Sequence, residues 1–188
     1  LCASTREGEE ALILDAWPRE QRALLVIVPR HPQRFEEVAT LVAARGLAMQ
    51  RRSDQAPVAA TTRVWLGESM GEMFAYYAAA DVAFVGGSLL DHGCQNLIEP
   101  CAVGTPVLIG PSTFNFAEAA REALAAGAAI QVSDEPVATA LVAQALALLA
   151  DPARRAAMAD SGRAFAERDR GATARTLALI ERFIPAGR

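Results

Sequence analysis

FVGGSLLDHGCQNLIEP, residues 84–100, begins as an apolar run, breaks at two glycines and carries an acidic residue, Glu99, near its end, where a helix should start. A buried strand that gives way to a glycine-rich loop and then a helix is the repeating step of an α/β sheet. The same step recurs on either side of this stretch. LLVIVP (24–29), RVWLG (63–67), VAFVGG (82–87) and PVLIG (106–110) are continuous apolar runs rather than alternating ones, as expected of parallel strands covered on both faces. Weaker strands are predicted at 1–3, 47–51 and 130–132, and helices over 33–45, 71–80, 96–103 and 117–126. Strand alternating with helix predicts a Rossmann-like, doubly wound parallel sheet over about 1–135. From Pro136 the pattern turns all helical, over 137–150, 152–167 and 172–184, so a single domain over 1–188 ending in C-terminal helices is expected. The last of these segments carries Leu177, Ile180, Phe183 and Ile184 at helical spacing, a stripe that must find a cover or fray.

Composition narrows the functions. The 188 residues are 52% hydrophobic and 21% charged, enough for one well-buried core. A net charge of −4 and scattered arginines argue against a general nucleic-acid binder, which needs a basic face. The sequence contains no lysine, so all 18 basic residues are arginine. That excludes a P-loop and a pyridoxal Schiff base, each of which needs a lysine. Three cysteines (Cys2, Cys94, Cys101) and two histidines (His31, His92) are too few and too badly spaced for a closed zinc site, and fit a reduced, cytosolic setting. No apolar run reaches the roughly 20 residues of a membrane span. The opening LCAST reads as part of a strand rather than as a signal peptide, which suggests a piece of something longer.

In an open parallel sheet, ligands bind beyond the carboxyl ends of the strands. The loops predicted there are STREGEE (4–10), PRH (29–31), GESMGE (67–72), GGSLLDHGCQNLIE (86–99) and GPSTFNF (110–116). Several run directly into helix N-termini, which favour anions, and Arg30 can add a charge-assisted hydrogen bond to a phosphate. Each feature also has a plainer reading. Ser69 with Glu72 and Asn96 with Glu99 both fit a capping box, in which the glutamate satisfies only backbone N–H groups. Gly86 and Gly87 fit a tight turn, and a lone arginine fits a solvated surface. Their convergence on one sheet edge favours a ligand site.

The motifs STREGEE, VPRHPQRF, LGESMGEMFAYYAAADVAFVGGSL, GCQNLIEPCAVGTPVLIGP and TFNFAE, in this order, resemble the C-terminal half of the 3-deoxy-D-manno-octulosonic acid (Kdo) transferases over about residues 1–182. The resemblance implies a GT-B fold, two Rossmann-like domains facing across a cleft, of which this chain matches the donor-binding second. It implies an enzyme of lipopolysaccharide biosynthesis at the cytoplasmic face of the inner membrane, inverting in mechanism, with CMP-Kdo as donor and a lipid A precursor as acceptor. The N-terminal acceptor domain, with the general base and the membrane contact, would precede residue 1, so no catalytic residue is expected in this chain. The CMP contacts carried over by the resemblance are Pro29, Arg30, Met70, Gly71, Glu72, Asn96 and Glu99, with Gly87 and Ser88 on the donor-sugar side. Glu99 suits ribose hydroxyls, because a carboxylate offers two acceptors to two neighbouring O–H groups.

Four positions depart from the family pattern: Arg6, Cys94, Gln95 and Ser112. They put the donor sugar in question more than the nucleotide. No D-x-D pair occurs, so metal-independent transfer is expected, with Arg30 and helix N-termini stabilising the leaving group. The alternatives are another GT-B domain using a UDP-sugar, or a non-catalytic nucleotide-binding α/β domain.

Overall fold

The computed structural model describes residues 1–168 together with Thr176, Leu177, Leu179 and Ile180. Among these residues the strands are β1 (Cys2–Thr5), β2 (Leu25–Pro29), β3 (Met49–Arg51), β4 (Val64–Leu66), β5 (Ala83–Val85), β6 (Val107–Ile109) and β7 (Ala129–Gln131). They form one sheet in the order β3-β4-β2-β1-β5-β6-β7, and every neighbouring pair is parallel. The helices are α1 (Glu9–Ala16), α2 (Phe35–Ala44), α3 (Met73–Ala79), α4 (Ile98–Val103), α5 (Ala117–Ala125), α6 (Val137–Ala150) and α7 (Pro152–Arg168).

The continuous apolar runs are explained by burial on both faces. Along β5 and β6, Phe84 and Leu108 enter a core shared with α1, α2 and α6. Their neighbours Val85, Val107 and Ile109 enter the opposite core with α4, α5 and α7. Successive side chains of a strand point to opposite faces, so a strand sandwiched between helices needs apolar residues at every position.

Helix α1 was not anticipated. Its eight residues, EEALILDA, carry apolar residues at four consecutive positions and so show no helical period, and both leading glutamates are buried. Three other helices, α2, α3 and α4, each begin two residues later than their sequence suggests. Gly71 takes a left-handed φ of 80°, which delays α3 to Met73, and the Asn96 side chain accepts the Ile98 N–H at 3.0 Å, which delays α4. A 3-10 turn, Pro32–Arg34, leads into α2. The helix expected over 172–184 falls largely outside the described residues, as do Phe183 and Ile184. Leu177 and Ile180 are helical and exposed.

The ends of β1 and β5 approach each other closely. A Cβ built on Gly86 would lie 2.5 Å from the Ser4 carbonyl oxygen and 2.6 Å from the Thr5 Cα, both backbone atoms that cannot swing aside. Gly86→Ala is therefore expected to destabilise the fold by about 1–3 kcal/mol, the usual cost of overpacking. Chemical denaturation would show this as a lowered midpoint with an unchanged slope.

Candidate functional site

Strand β1 sits at the centre of the sheet order, with β2 on one side and β5 on the other. The chain fills the β2 side first, with β3 at the edge and β4 between it and β2, then crosses to β5. This is the topological switch point, beside which open α/β sheets bind their ligands. Two adjacent glutamates at the start of α1 tie its loops together. Glu9 is fully buried, and its carboxylate accepts three backbone N–H groups: Arg6 at 2.8 Å, Gly87 at 2.8 Å and Leu89 at 2.9 Å. One side chain thus fixes the loop after β1 to the loop after β5. Burial pushes the Glu9 carboxyl above its ordinary range, while these N–H donors pull it back. Glu10, also fully buried, accepts the Thr5 hydroxyl at 2.7 Å and the Arg34 guanidinium at 2.6 and 3.1 Å. It ties β1 to the turn that follows β2.

The residues singled out from the sequence fall along this rim. Pro29 closes β2 and is buried, whereas Arg30 is exposed; the Arg30 N–H donates to the Thr5 carbonyl at 3.0 Å and its Nε donates to Gln95 Oε1 at 3.3 Å. Met70 and Gly71 stand at the surface beyond β4, and no atom lies within 4 Å of a Cβ built on Gly71. Glu72 is the first boundary residue of α3, so Ser69 is not its cap. Instead the Ser69 hydroxyl donates to the Glu72 carboxylate at 2.5 Å, and Arg52 donates to it at 3.1 and 3.2 Å. The Ser69 hydroxyl first and Arg52 second hold the Glu72 carboxyl below the usual carboxylate range. The capping reading of Glu72 therefore fails.

At α4 the capping reading is half right. Asn96 Oδ1 accepts the Ile98 N–H, but Glu99 does not reach back to the backbone of Asn96; it accepts the Asn96 side-chain amide at 3.1 Å. Ser88, expected on the donor-sugar side, is fully buried. Its hydroxyl donates to the Val85 carbonyl at 2.6 Å and accepts the Gly110 N–H at 2.8 Å, which staples the ends of β5 and β6. Its side chain faces the interior because two strand ends here need a donor and an acceptor between them. Gly87, likewise buried, presents its N–H to Glu9 rather than to the crevice.

Sequence reasoning placed Glu9 and Glu10 only within the STREGEE loop and gave them no role of their own. The signal was available: two charges immediately before an apolar run at the end of a central strand. Among the described residues no group of three or more His, Cys, Asp and Glu is placed to hold a metal ion. No single described helix is long and apolar enough to cross a membrane.

A seven-stranded parallel sheet with an open, partly polar rim at its switch point defines an α/β ligand-binding domain. The family description "Glycosyl transferases group 1" matches residues 19–165. The chain is 51% identical over 187 residues to the 3-deoxy-D-manno-octulosonic acid transferase of Bordetella pertussis, covering 95% of this chain and 43% of that protein. It is 37% identical to the protein of the same name from Haemophilus influenzae, over 98% of this chain and 44% of that one. The solved C-terminal CMP-Kdo binding domain of WaaA from Acinetobacter baumannii superposes with a TM-score of 0.81 at 35% identity, covering 87% of this chain and 86% of that domain. The chain belongs to the Kdo transferases, as a GT-B C-terminal domain. It spans less than half the length of the full-length relatives it matches.

Two tests address the rim's construction. Glu9→Gln replaces one acceptor oxygen with an amide that faces a backbone N–H, so stability should fall by about 1–3 kcal/mol, the cost of an unsatisfied buried donor. A melting temperature within 1 °C of the unaltered chain, a shift of about that size being too small for such a loss, would count against the bridging role. Cys2, Cys94 and Cys101 are buried, and burial pushes their thiols up to about 11, 12 and 12 respectively. Thiolates are the reactive form, so all three should resist alkylation at neutral pH and react only in denaturant, as intact mass would show.

Proposed function

We propose that this chain is the donor-binding half of a glycosyltransferase that transfers Kdo from CMP-Kdo to a lipid A precursor during lipopolysaccharide biosynthesis. The observation that carries this reading is the superposition on a domain described as binding CMP-Kdo, over nearly the whole length of both. The rim is chemically suited to such a donor. Arg30 is exposed and, among the described residues, has no carboxylate within ion-pairing distance. It is available to a phosphate, and a charge-assisted hydrogen bond to the departing CMP would strengthen as negative charge develops there.

Glu99 uses one carboxylate oxygen on the Asn96 amide and leaves the other to accept from ribose hydroxyls. Met70 and Gly71, open to solvent beyond β4, suit contact with the base. Glu72 is engaged by Ser69 and Arg52, so its role is to fix the shape of the 67–72 loop rather than to meet the nucleotide directly. Transfer is proposed to be inverting and metal-independent, with Arg30 and rim N–H groups serving the leaving group. The acceptor site, the general base and membrane contact are assigned to the rest of the enzyme, facing this rim across the cleft.

Calorimetric titration tests the reading. The chain should bind CMP more tightly than UMP or UDP, and equally well with and without a chelator. A preference for UDP, or affinity that a chelator abolishes, would overturn it. Glu99→Gln should weaken CMP binding by about tenfold, the loss of one hydrogen bond to a charged acceptor, while its melting temperature barely moves. Loss of stability with unchanged affinity would return Glu99 to a structural role.

A further inference from the structure

The arginines along the rim divide into two kinds. Arg34 is held by Glu10 and Glu37, Arg51 by Glu36 and Glu68, and Arg52 by Glu72. These fix loops and are spoken for. Arg6 and Arg30 are different: among the described residues neither meets a carboxylate within 4.0 Å. They are also neighbours. Thr5 pairs with Pro29 in the β1–β2 register and accepts the Arg30 N–H, so Arg6 and Arg30 leave adjacent strands side by side. Adjacent strands lie about 4.8 Å apart.

Gln95 stands between them. Its Oε1 accepts from Arg30 Nε, and its Nε2 lies 3.2 Å from the point where a Cβ on Gly87 would be. The Cγ of Arg6 lies 3.6 Å from that same point. Arg6 is only partly exposed, and its guanidinium makes no hydrogen bond within the described structure, so its stem is packed while its charge is unspent. Two unpaired guanidiniums leaving adjacent strands make this part of the rim positive, and anions placed against both would meet complementary charge.

We infer that Arg6 is a specificity-determining residue that binds a carboxylate on the donor sugar, next to the phosphate bound by Arg30. The inference rests on the donor reading above and deepens it. A CMP ester of a sugar acid carries two separate anions, one phosphate and one carboxylate, matching two unpaired guanidiniums. Planar guanidinium and planar carboxylate can pair through two parallel hydrogen bonds, a fit that a hydroxyl on a neutral sugar lacks. Gln95, fixed by Arg30, would keep the two anions apart by offering its amide N–H groups between them.

The test uses the 188-residue chain, with CMP alone and then with free Kdo or Kdo methyl ester added at saturating CMP, followed by nuclear magnetic resonance titration. The unaltered chain should bind Kdo about tenfold more tightly than its methyl ester, in keeping with one charge-assisted pair. Arg6→Gln should leave CMP affinity within about twofold yet erase that preference, and Arg6→Lys should restore part of it, because a point charge remains without the planar fork. Arg30→Gln should instead weaken CMP. Because the Arg6 side chain makes no hydrogen bond, melting temperatures should be unchanged, which separates a binding effect from misfolding. Equal binding of Kdo and its ester by the unaltered chain, or an Arg6→Gln variant that loses CMP as Arg30→Gln does, overturns the inference and leaves the nucleotide reading intact. Failure of the unaltered chain to bind CMP overturns that reading and the inference with it.

Discussion

The rim depends on one buried carboxylate. Glu9 receives N–H groups from Arg6 on one loop and from Gly87 and Leu89 on the other, across the point where the sheet reverses its order. The Gly87 and Leu89 amides would otherwise be buried donors without a partner, a costly state for a backbone N–H. A carboxylate offers enough acceptor sites to satisfy all three at once; a hydroxyl or an amide does not. The interaction is costly to assemble, since burial disfavours the charge, and the fixed N–H dipoles offset that cost. The crevice is thereby built from loops whose positions are set by the interior of the protein rather than by the ligand.

The same division runs through the rest of the rim. Residues with buried or paired polar groups set shape: Glu10 with Arg34, Ser88 between β5 and β6, Glu72 with Ser69 and Arg52. Groups left with unused capacity stand beside them, notably Arg6, Arg30 and one oxygen of Glu99. A preorganised site needs both kinds, because a binding group held by flexible neighbours loses in ordering entropy what it gains in contact. The close backbone approach at Gly86 and the staple at Ser88 keep the ends of β1, β5 and β6 in one fixed relation, which brings residues distant in sequence to a common edge.

Much of this was written in the sequence. Continuous apolar runs such as LLVIVP and PVLIG, short and rich in β-branched residues, read as strands covered on both faces, and their alternation with helices determined the doubly wound class. The ordered series of rim motifs also determined the family, because several short stretches in fixed order carry far more information than any one glycine pattern. What the sequence determined less well were the ends of elements, where a single side chain or glycine decides the matter: Gly71 and Asn96 each delay a helix by local bonding or backbone conformation. Helix α1 was hidden because its apolar residues are consecutive, leaving no period to read.

Tertiary structure alone decided the roles of individual polar residues. Glu9 and Glu72 look alike in sequence, each an acidic residue near a glycine at the start of a helix, yet one is sealed in the interior bridging two loops and the other is paired at the surface. Ser88 looks like a loop residue open to ligand and is instead a buried staple. Arg6 and Arg30 are 24 positions apart, and only the parallel register of β1 and β2 places them together. A sequence records which groups are available. Which of them are satisfied by neighbours, and which remain free to meet a ligand, depends on distances across strands that no local pattern encodes.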